Sequence, residues 1–258
     1  MNRHLPLEGV ENFRDFGGYS TVGGQRLRSG RLWRSASHGR ATDADLAAIA
    51  ALGIAVVVDL RRKNERERDP SRRHGAFAGE VIVSDAGEDE EDTWLAHVTG
   101  SDLSASSFRD YMLNYYAEAP FNPRLLHLYA RYFEALARAD GPVLIHCAAG
   151  KDRTGILAAL THHLAGVHRD DILIDYLATN DPERMARRLP LVTQVIREAS
   201  GRTPDETAVR VAMGVEAAYL ETAWAAVAER HGDLDGYLEG ALGVDGARRE
   251  AIKVRLLE

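Results

Sequence analysis

Seven residues at 54–60, IAVVVDL, constrain this chain more than any other stretch. Apolar, mostly β-branched residues stand there on consecutive positions with no polar alternation, so a strand at this place has to be covered on both faces. A sheet with other structure layered on each side gives that cover. Two more short runs read as strands of the same kind, GEVIVSD at 79–85 and VLIHC at 143–147. The segments between them have helical spacing. One opens at Thr42 with Asp45 three residues on, the pattern of a capping box, and closes at Gly53. Others are expected at about 104–118 and 122–139, and TGILAALTHHLAG at 154–166 carries a helix that starts near Arg153 and stops at Gly166. The opening forty residues mix Gly with short alternating segments and read as hairpin-like strands. Beyond 166 the chain reads almost wholly helical, over 169–179, 182–199, 211–230, 234–243 and 247–257. The expected class is α/β: a central, mostly parallel sheet flanked by helices, with a helical C-terminal extension, in a single domain over 1–258.

Composition removes several functions. With 32 Lys and Arg against 39 Asp and Glu, the net charge is −7, which gives no bulk attraction to nucleic acid. The charged run at 61–69 holds Glu65, Glu67 and Asp69 among its cations and reads as a solvated face. A single cysteine excludes an internal disulfide and any multi-cysteine metal site, and the adjacent His162 and His163 leave a helix in different directions. No metal or other cofactor is expected. The acidic segment 86–94 reads as a solvated loop. No apolar run approaches the ~20 residues of a membrane span, so stable membrane insertion is not expected. The first residues lack the apolar core of a signal peptide, which points to the cytoplasm, or to secretion without a conventional signal.

The one cysteine stands in HCAAGKDRTG, 146–155, between the third strand and the helix that follows. In open α/β sheets such strand-to-helix loops carry function. Wrapped around the helix N-terminus, the loop 146–154 would aim the backbone N–H groups from Ala148 to Arg153 at a tetrahedral anion. The same field favours a thiolate at Cys147. Arg153 would offer a planar fork to two phosphate oxygens, and Gly150 a turn that a Cβ would obstruct. Ala148, Ala149, Gly150, Lys151 and Arg153 are thus the candidate phosphate-binding residues. Thr154 is placed to donate a hydrogen bond to the thiolate, and His146 to brace the loop. A buried, inert cysteine is the plain alternative. A nucleotide P-loop does not fit, because Asp152 takes the Ser/Thr position and the leading Gly is missing.

HCAAGKDRTG resembles the signature of cysteine-dependent protein tyrosine phosphatases, in their atypical microbial branch. ENFRDFGGY at 11–19 and DLRRKNER at 59–66 resemble it too, and DYLATND, MGVEAAYL and DLDGYL in the C-terminal half are similar to secreted members of that branch. The resemblance implies a phosphotyrosine phosphatase-like fold, Cys147 as nucleophile and Arg153 as clamp. It implies Asp152, just before the Arg, as general acid. The Trp-Pro-Asp acid loop of other tyrosine phosphatases is missing, since Leu95 follows Trp94. Asp85 and Asp59, each at a strand end, are the other candidate acids, with Asp59 read more as a partner of the loop. Arg61 and Glu65 would help to position that loop. Lys151 would meet a second phosphate, as on a phosphoinositide headgroup. The implied partners are a phosphorylated protein or phosphoinositide substrate, with activity on phosphotyrosine, phosphoserine/threonine or phosphoinositides. Helices over about 170–210 would form a lid. Two rivals stay open on the residues alone: a rhodanese-like sulfurtransferase, and a non-catalytic phosphate-binding module.

Overall fold

A computed structural model describes residues 3–86 and 93–258. Most of the acidic segment expected as a loop lies outside the described residues. In chain order the elements begin with β1 (Arg14–Asp15), β2 (Leu32–Ser35), α1 (Asp43–Ala50), β3 (Val56–Asp59), α2 (Lys63–Arg68) and β4 (Glu80–Ile82). They continue with α3 (Thr93–Gly100), α4 (Ala105–Glu118), α5 (Pro123–Arg138), β5 (Val143–His146) and α6 (Asp152–Ala165). The C-terminal helices are α7 (Arg169–Leu177), α8 (Pro182–Ser200), α9 (Glu206–Met213), α10 (Ala217–His231), α11 (Leu234–Gly240) and α12 (Gly246–Leu256).

The sheet runs β1-β2-β5-β3-β4, parallel except for β1, which pairs antiparallel with β2. The mostly parallel sheet flanked by helices that the apolar runs demand is therefore present. β5 lies at its centre, with Ile145 opposite Arg34 and Val58, and His146 opposite Ser35 and Asp59. Successive residues point to opposite faces. Val56, Val58, Val143 and Ile145 enter the larger core with Leu128 and Tyr132 of α5 and Leu157 and Leu160 of α6. Val57 and Leu144 enter a second core with Val10, Phe13 and Leu46 of α1. Each such buried side chain contributes about 1.5–3 kcal/mol.

Local signals set the helix ends. Thr42 accepts from Asp45 N, and Asp45 accepts from Thr42 N, which is the capping box read in the sequence. α1 stops at its C-cap Ala51, two residues before Gly53. Ser104 and Asn122 cap α4 and α5. Three places depart from the sequence reading, the first being the charged run at 61–69, which forms α2 and buries Arg61 and Glu65 instead of standing as a solvated face. α3 was not expected, and the stretch 211–230 is not one helix but α9 and α10 with a break at Gly214. The break is held by Asn180, whose side-chain amide donates to Val215 O at 2.7 Å and accepts from Val215 N at 2.9 Å. α3, α8, α9 and the start of α4 share a third hydrophobic cluster, built on Val98, Phe108, Met185, Ile196 and Val209.

Candidate active site

The central strand ends at His146, and the loop 147–151 carries the chain to the N-terminus of α6. Cys147 is 2% exposed, beneath the exposed Ala148. Three consecutive loop carbonyls are held from outside. Ala148 O accepts from Ser37 N at 3.1 Å. Ala149 O accepts from Arg184 Nη2 at 3.4 Å and Asn12 Nδ2 at 3.5 Å. Gly150 O accepts from Asn12 Nδ2 at 2.8 Å and Arg34 Nη2 at 3.1 Å. Carbonyls held outward are what an anion-binding loop of inward amides requires. Gly150 has φ +65°, and a Cβ there would lie 2.5 Å from Ser35 O, so this turn takes only glycine.

The outer groups are fixed in turn. Asp175 of α7 pairs with Arg14 Nε at 3.1 Å and Arg34 Nη1 at 2.6 Å, all three buried. Burial opposes the charge on Asp175, but the two guanidiniums hold its carboxyl well below the usual carboxylate range. Arg14 also donates to Asn12 Oδ1. Arg184, in the first turn of α8, pairs with Glu11 at 3.3 Å. Burial, then Arg188, lowers Arg184 to about 10, so it remains a cation at neutral pH.

Arg153 shows what the site has to offer. Its Nη1 donates to Glu65 Oε2 at 2.5 Å and to Leu60 O at 3.2 Å, and its Nη2 donates to Glu65 Oε1 at 2.8 Å. A guanidinium has five N–H donors. Among the described residues three are engaged, so Nε–H and one Nη2–H are left side by side on one edge, a fork whose geometry fits two oxygens of a tetrahedral anion. Burial works against the charge of Arg153, but Glu65, and after it the nearby Cys147, push it well above its ordinary value. Tyr129 Oη donates to Arg153 O at 3.0 Å.

Asp152 opens α6 with its side chain 20% exposed. Its Oδ1 accepts from Tyr116 Oη at 3.0 Å, and Tyr116 Oη accepts from Tyr176 Oη at 2.8 Å. Burial, then Asp152, keeps Tyr116 well above its ordinary value, so the phenol stays a donor. Lys151 was expected to face a second phosphate. The structure instead buries it, with Nζ donating to Ala212 O at 2.9 Å and Gly214 O at 3.1 Å, at the end of α9, and lying 3.4 Å from Asp152 Oδ1. Thr154 is fully buried, and its Oγ1 has no hydrogen-bond partner among the described residues.

His146 packs its ring 4.9 Å from that of His38 and lies 3.7 Å from Asp59 Oδ2. Burial holds both imidazoles below the ordinary histidine value. Asp59 is gripped by Arg61, at 2.9 Å from Nε and 2.8 Å from Nη2. Burial opposes its charge, yet His146 and Arg61 hold its carboxyl well below the usual range. Arg61 also reaches Asp69 O and Ser71 Oγ, which makes the Asp59–Arg61 pair a brace under the loop. Asp85 is half exposed and paired with Arg66. The sequence reading missed Asn12, Arg14, Arg34, Asp175 and Arg184. Asn12 and Arg14 lie inside the ENFRDFGGY motif and Asp175 opens DYLATND, which were the available signals; Arg184 lies in the stretch expected as a lid, and Arg34 had no such signal.

The family model described as the tyrosine phosphatase family matches residues 5–258. A protein of Cupriavidus necator named as a tyrosine-protein phosphatase is 32% identical over 252 residues, covering 96% of this chain and 88% of that one. The triple specificity protein phosphatase PtpB of Mycobacterium tuberculosis is 34% identical over 264 residues, covering 93% of each chain. A tyrosine-protein phosphatase of Nostoc commune is 32% identical over 232 residues, covering 86% of this chain and 73% of its own. Among the described residues, no helix is long and apolar enough to cross a membrane.

Proposed function

The chain belongs to the tyrosine phosphatase family, a family of phosphoric monoester hydrolases, and from that membership we propose that it hydrolyses phosphotyrosine through a phosphocysteine at Cys147. The observation that carries this reading is Arg153, anchored by Glu65 with one edge of its guanidinium left for phosphate. The Cys147 thiolate attacks phosphorus and forms the S–P bond as the P–O bond to the leaving group breaks. Asp152 gives its proton to the departing oxygen. Loop amides and Arg153 hold the equatorial oxygens, whose charge is greatest in the transition state. Water then attacks phosphorus, Asp152 takes its proton, and the thiolate leaves with a hydrogen bond from the otherwise unpartnered Thr154 hydroxyl. Phosphate release from a phosphotyrosine peptide should vanish in Cys147→Ser. Asp152→Asn should lose about 10²-fold or more on an alkyl or phenyl ester and little on an activated one. Equal loss on both esters would exclude Asp152 as the acid.

Phosphoserine/threonine and phosphoinositide esters belong to the same proposal, with Lys151 meeting a second phosphate. Because Lys151 is bonded to the end of α9, that contact requires α9 to move. We assign α8 and α9 as the lid: they share a hydrophobic cluster with α3 and the start of α4, and they touch the loop through Lys151 and Arg184. Lys151→Met should then speed alkylation of Cys147 by iodoacetamide and lower turnover of phosphatidylinositol phosphates relative to phosphotyrosine. Unchanged alkylation would argue against a lid held by this clasp.

A further inference from the structure

A cavity of about 530 Å³ lies on the other side of the sheet, between α1 and the segment 71–80. Its walls are Leu46, Ile49, Ile54, Val57, Phe77 and Leu144. Strand alternation brings His146 to this side, and with His38 it forms the polar end of the cavity. Cys147, one residue on, joins the core on the opposite face. The cavity is therefore separate from the hollow of the catalytic loop, although it shares a strand end with it.

Two arginines border the cavity. Arg72 is committed to Ala41 O and, at 2.7 Å, to Asp43. Arg73 is partly buried and has neither hydrogen bond nor ion pair among the described residues; its neighbour is the Phe77 ring, 6.0 Å from the guanidinium carbon to the centroid. Its closeness to the polar end shows in its effect on His38 and His146, whose protonation it opposes after burial has done so. The carboxylates near it are taken: Asp59 pairs with Arg61, and Glu80, which also lines the cavity, pairs with Arg131 and Arg138. A partly desolvated cation without an anion is costly unless a ligand supplies the partner. Burial disfavours the charged form of both imidazoles, and Arg72 is paired, so the cavity offers chiefly the charge of Arg73, which matches a monoanion better than a phosphate dianion. The volume lies within the 300–1,000 Å³ typical of small-molecule sites.

We propose that this cavity binds a small amphipathic carboxylate, with its apolar body between α1 and Phe77 and its carboxylate on Arg73 beside His146. Such a ligand presses on both ends of the catalytic loop. His146 leads directly into Cys147, and His38 Nε2 shares a hydrogen bond of 2.9 Å with Ser35 Oγ, the residue whose backbone Gly150 rests against. Occupancy should therefore change turnover without displacing substrate.

Calorimetric titration tests the site with octanoate and 4-phenylbutyrate as the aliphatic and aryl arms and octanamide as the uncharged control. The protein is held in saturating inorganic phosphate, so that binding does not depend on the phosphatase reading. At least one carboxylate should bind with phosphate present. Arg73→Gln, confirmed folded by its melting curve, should weaken that binding about tenfold or more, the size of a charge-assisted hydrogen bond, and leave octanamide unchanged. Failure of both carboxylates to bind, competition by phosphate, or equal binding by Arg73→Gln would each overturn the proposal.

Discussion

Replacing Glu65 with Gln tests whether an ion pair fixes the phosphate clamp. Glu65 is 6% exposed and receives two hydrogen bonds from Arg153, at 2.5 and 2.8 Å. Burial alone would raise its carboxyl, but Arg153 outweighs burial and holds it at about 2, against 4.5 for the free side chain. That difference stabilises the folded anion by about 3 kcal/mol. The folded value lies below the unfolded one, so the stabilisation is complete above pH 4.5 and is lost as pH falls from there through about 2. Gln accepts a hydrogen bond but carries no charge, and it leaves a buried guanidinium without its counter-ion. The expected destabilisation near neutral pH is about 3 kcal/mol, at the lower end of the range for breaking a buried pair. Urea unfolding of both proteins, from neutral pH to the lowest pH at which wild type still folds, measures the difference. The gap should be constant near neutrality and begin to close below about pH 4.5. The value of kcat/KM on an aryl phosphate should fall about 10- to 100-fold, because the free edge of Arg153 loses its orientation. A gap under about 0.5 kcal/mol, or one that ignores pH, would refute the idea that this pair sets the clamp.

Gly150→Ala should cost about 1–3 kcal/mol of stability, from the left-handed backbone and the contact with Ser35 O; vanadate inhibition and thermal melting would show the loss of anion binding and of stability together. Asp175→Asn leaves Arg14 and Arg34 short of their buried counter-ion, and chemical denaturation should report about 3–5 kcal/mol lost near neutral pH. Since the Asp175 carboxyl is held low in the fold, this gap should narrow as pH drops below the ordinary aspartate value of 3.8. Tyr116→Phe removes the donor to Asp152 Oδ1 and should slow turnover of a phenyl ester several-fold, with no further loss when Asp152→Asn is already present.

The fold was legible where neighbouring residues carry the signal. Consecutive β-branched residues at 56–58 and the apolar run at 143–145 announce strands buried on both faces, and Thr42, Ser104 and Asn122 announce helix starts through caps that need only three residues. The division between α9 and α10 was not legible, because it depends on Asn180, 35 residues away, taking both backbone groups of Val215. In the candidate site, HCAAGKDRTG presents the proposed nucleophile and clamp, and the turn at Gly150, within one loop. The grip on Gly150 O is different: it joins Arg34 to Asp175 across 141 residues, and no local spacing encodes it. Glu65 could be proposed from its motif, but its two bonds to Arg153 span 88 residues and appear only in the fold.

On the proposed reading, the loop also explains how a chain of net charge −7 builds a site for a dianion. Around it stand five cationic side chains, Arg14, Arg34, Lys151, Arg153 and Arg184, and four carboxylates, Glu11, Glu65, Asp152 and Asp175. Nearly every cation is paired, so the pairs add little net field. What they fix is direction. Arg34 and Arg184, with Asn12, draw the loop carbonyls outward, and Glu65 takes one edge of Arg153 so that the other faces the hollow. On that reading the attraction for phosphate comes from loop N–H groups and the open edge of Arg153, which need no rearrangement when charge develops. Cation-to-neutral changes behind the loop, such as Arg34→Met, should therefore act through loop geometry rather than through lost charge. Added salt should leave that defect in place, because buried pairs are screened far less than exposed charges.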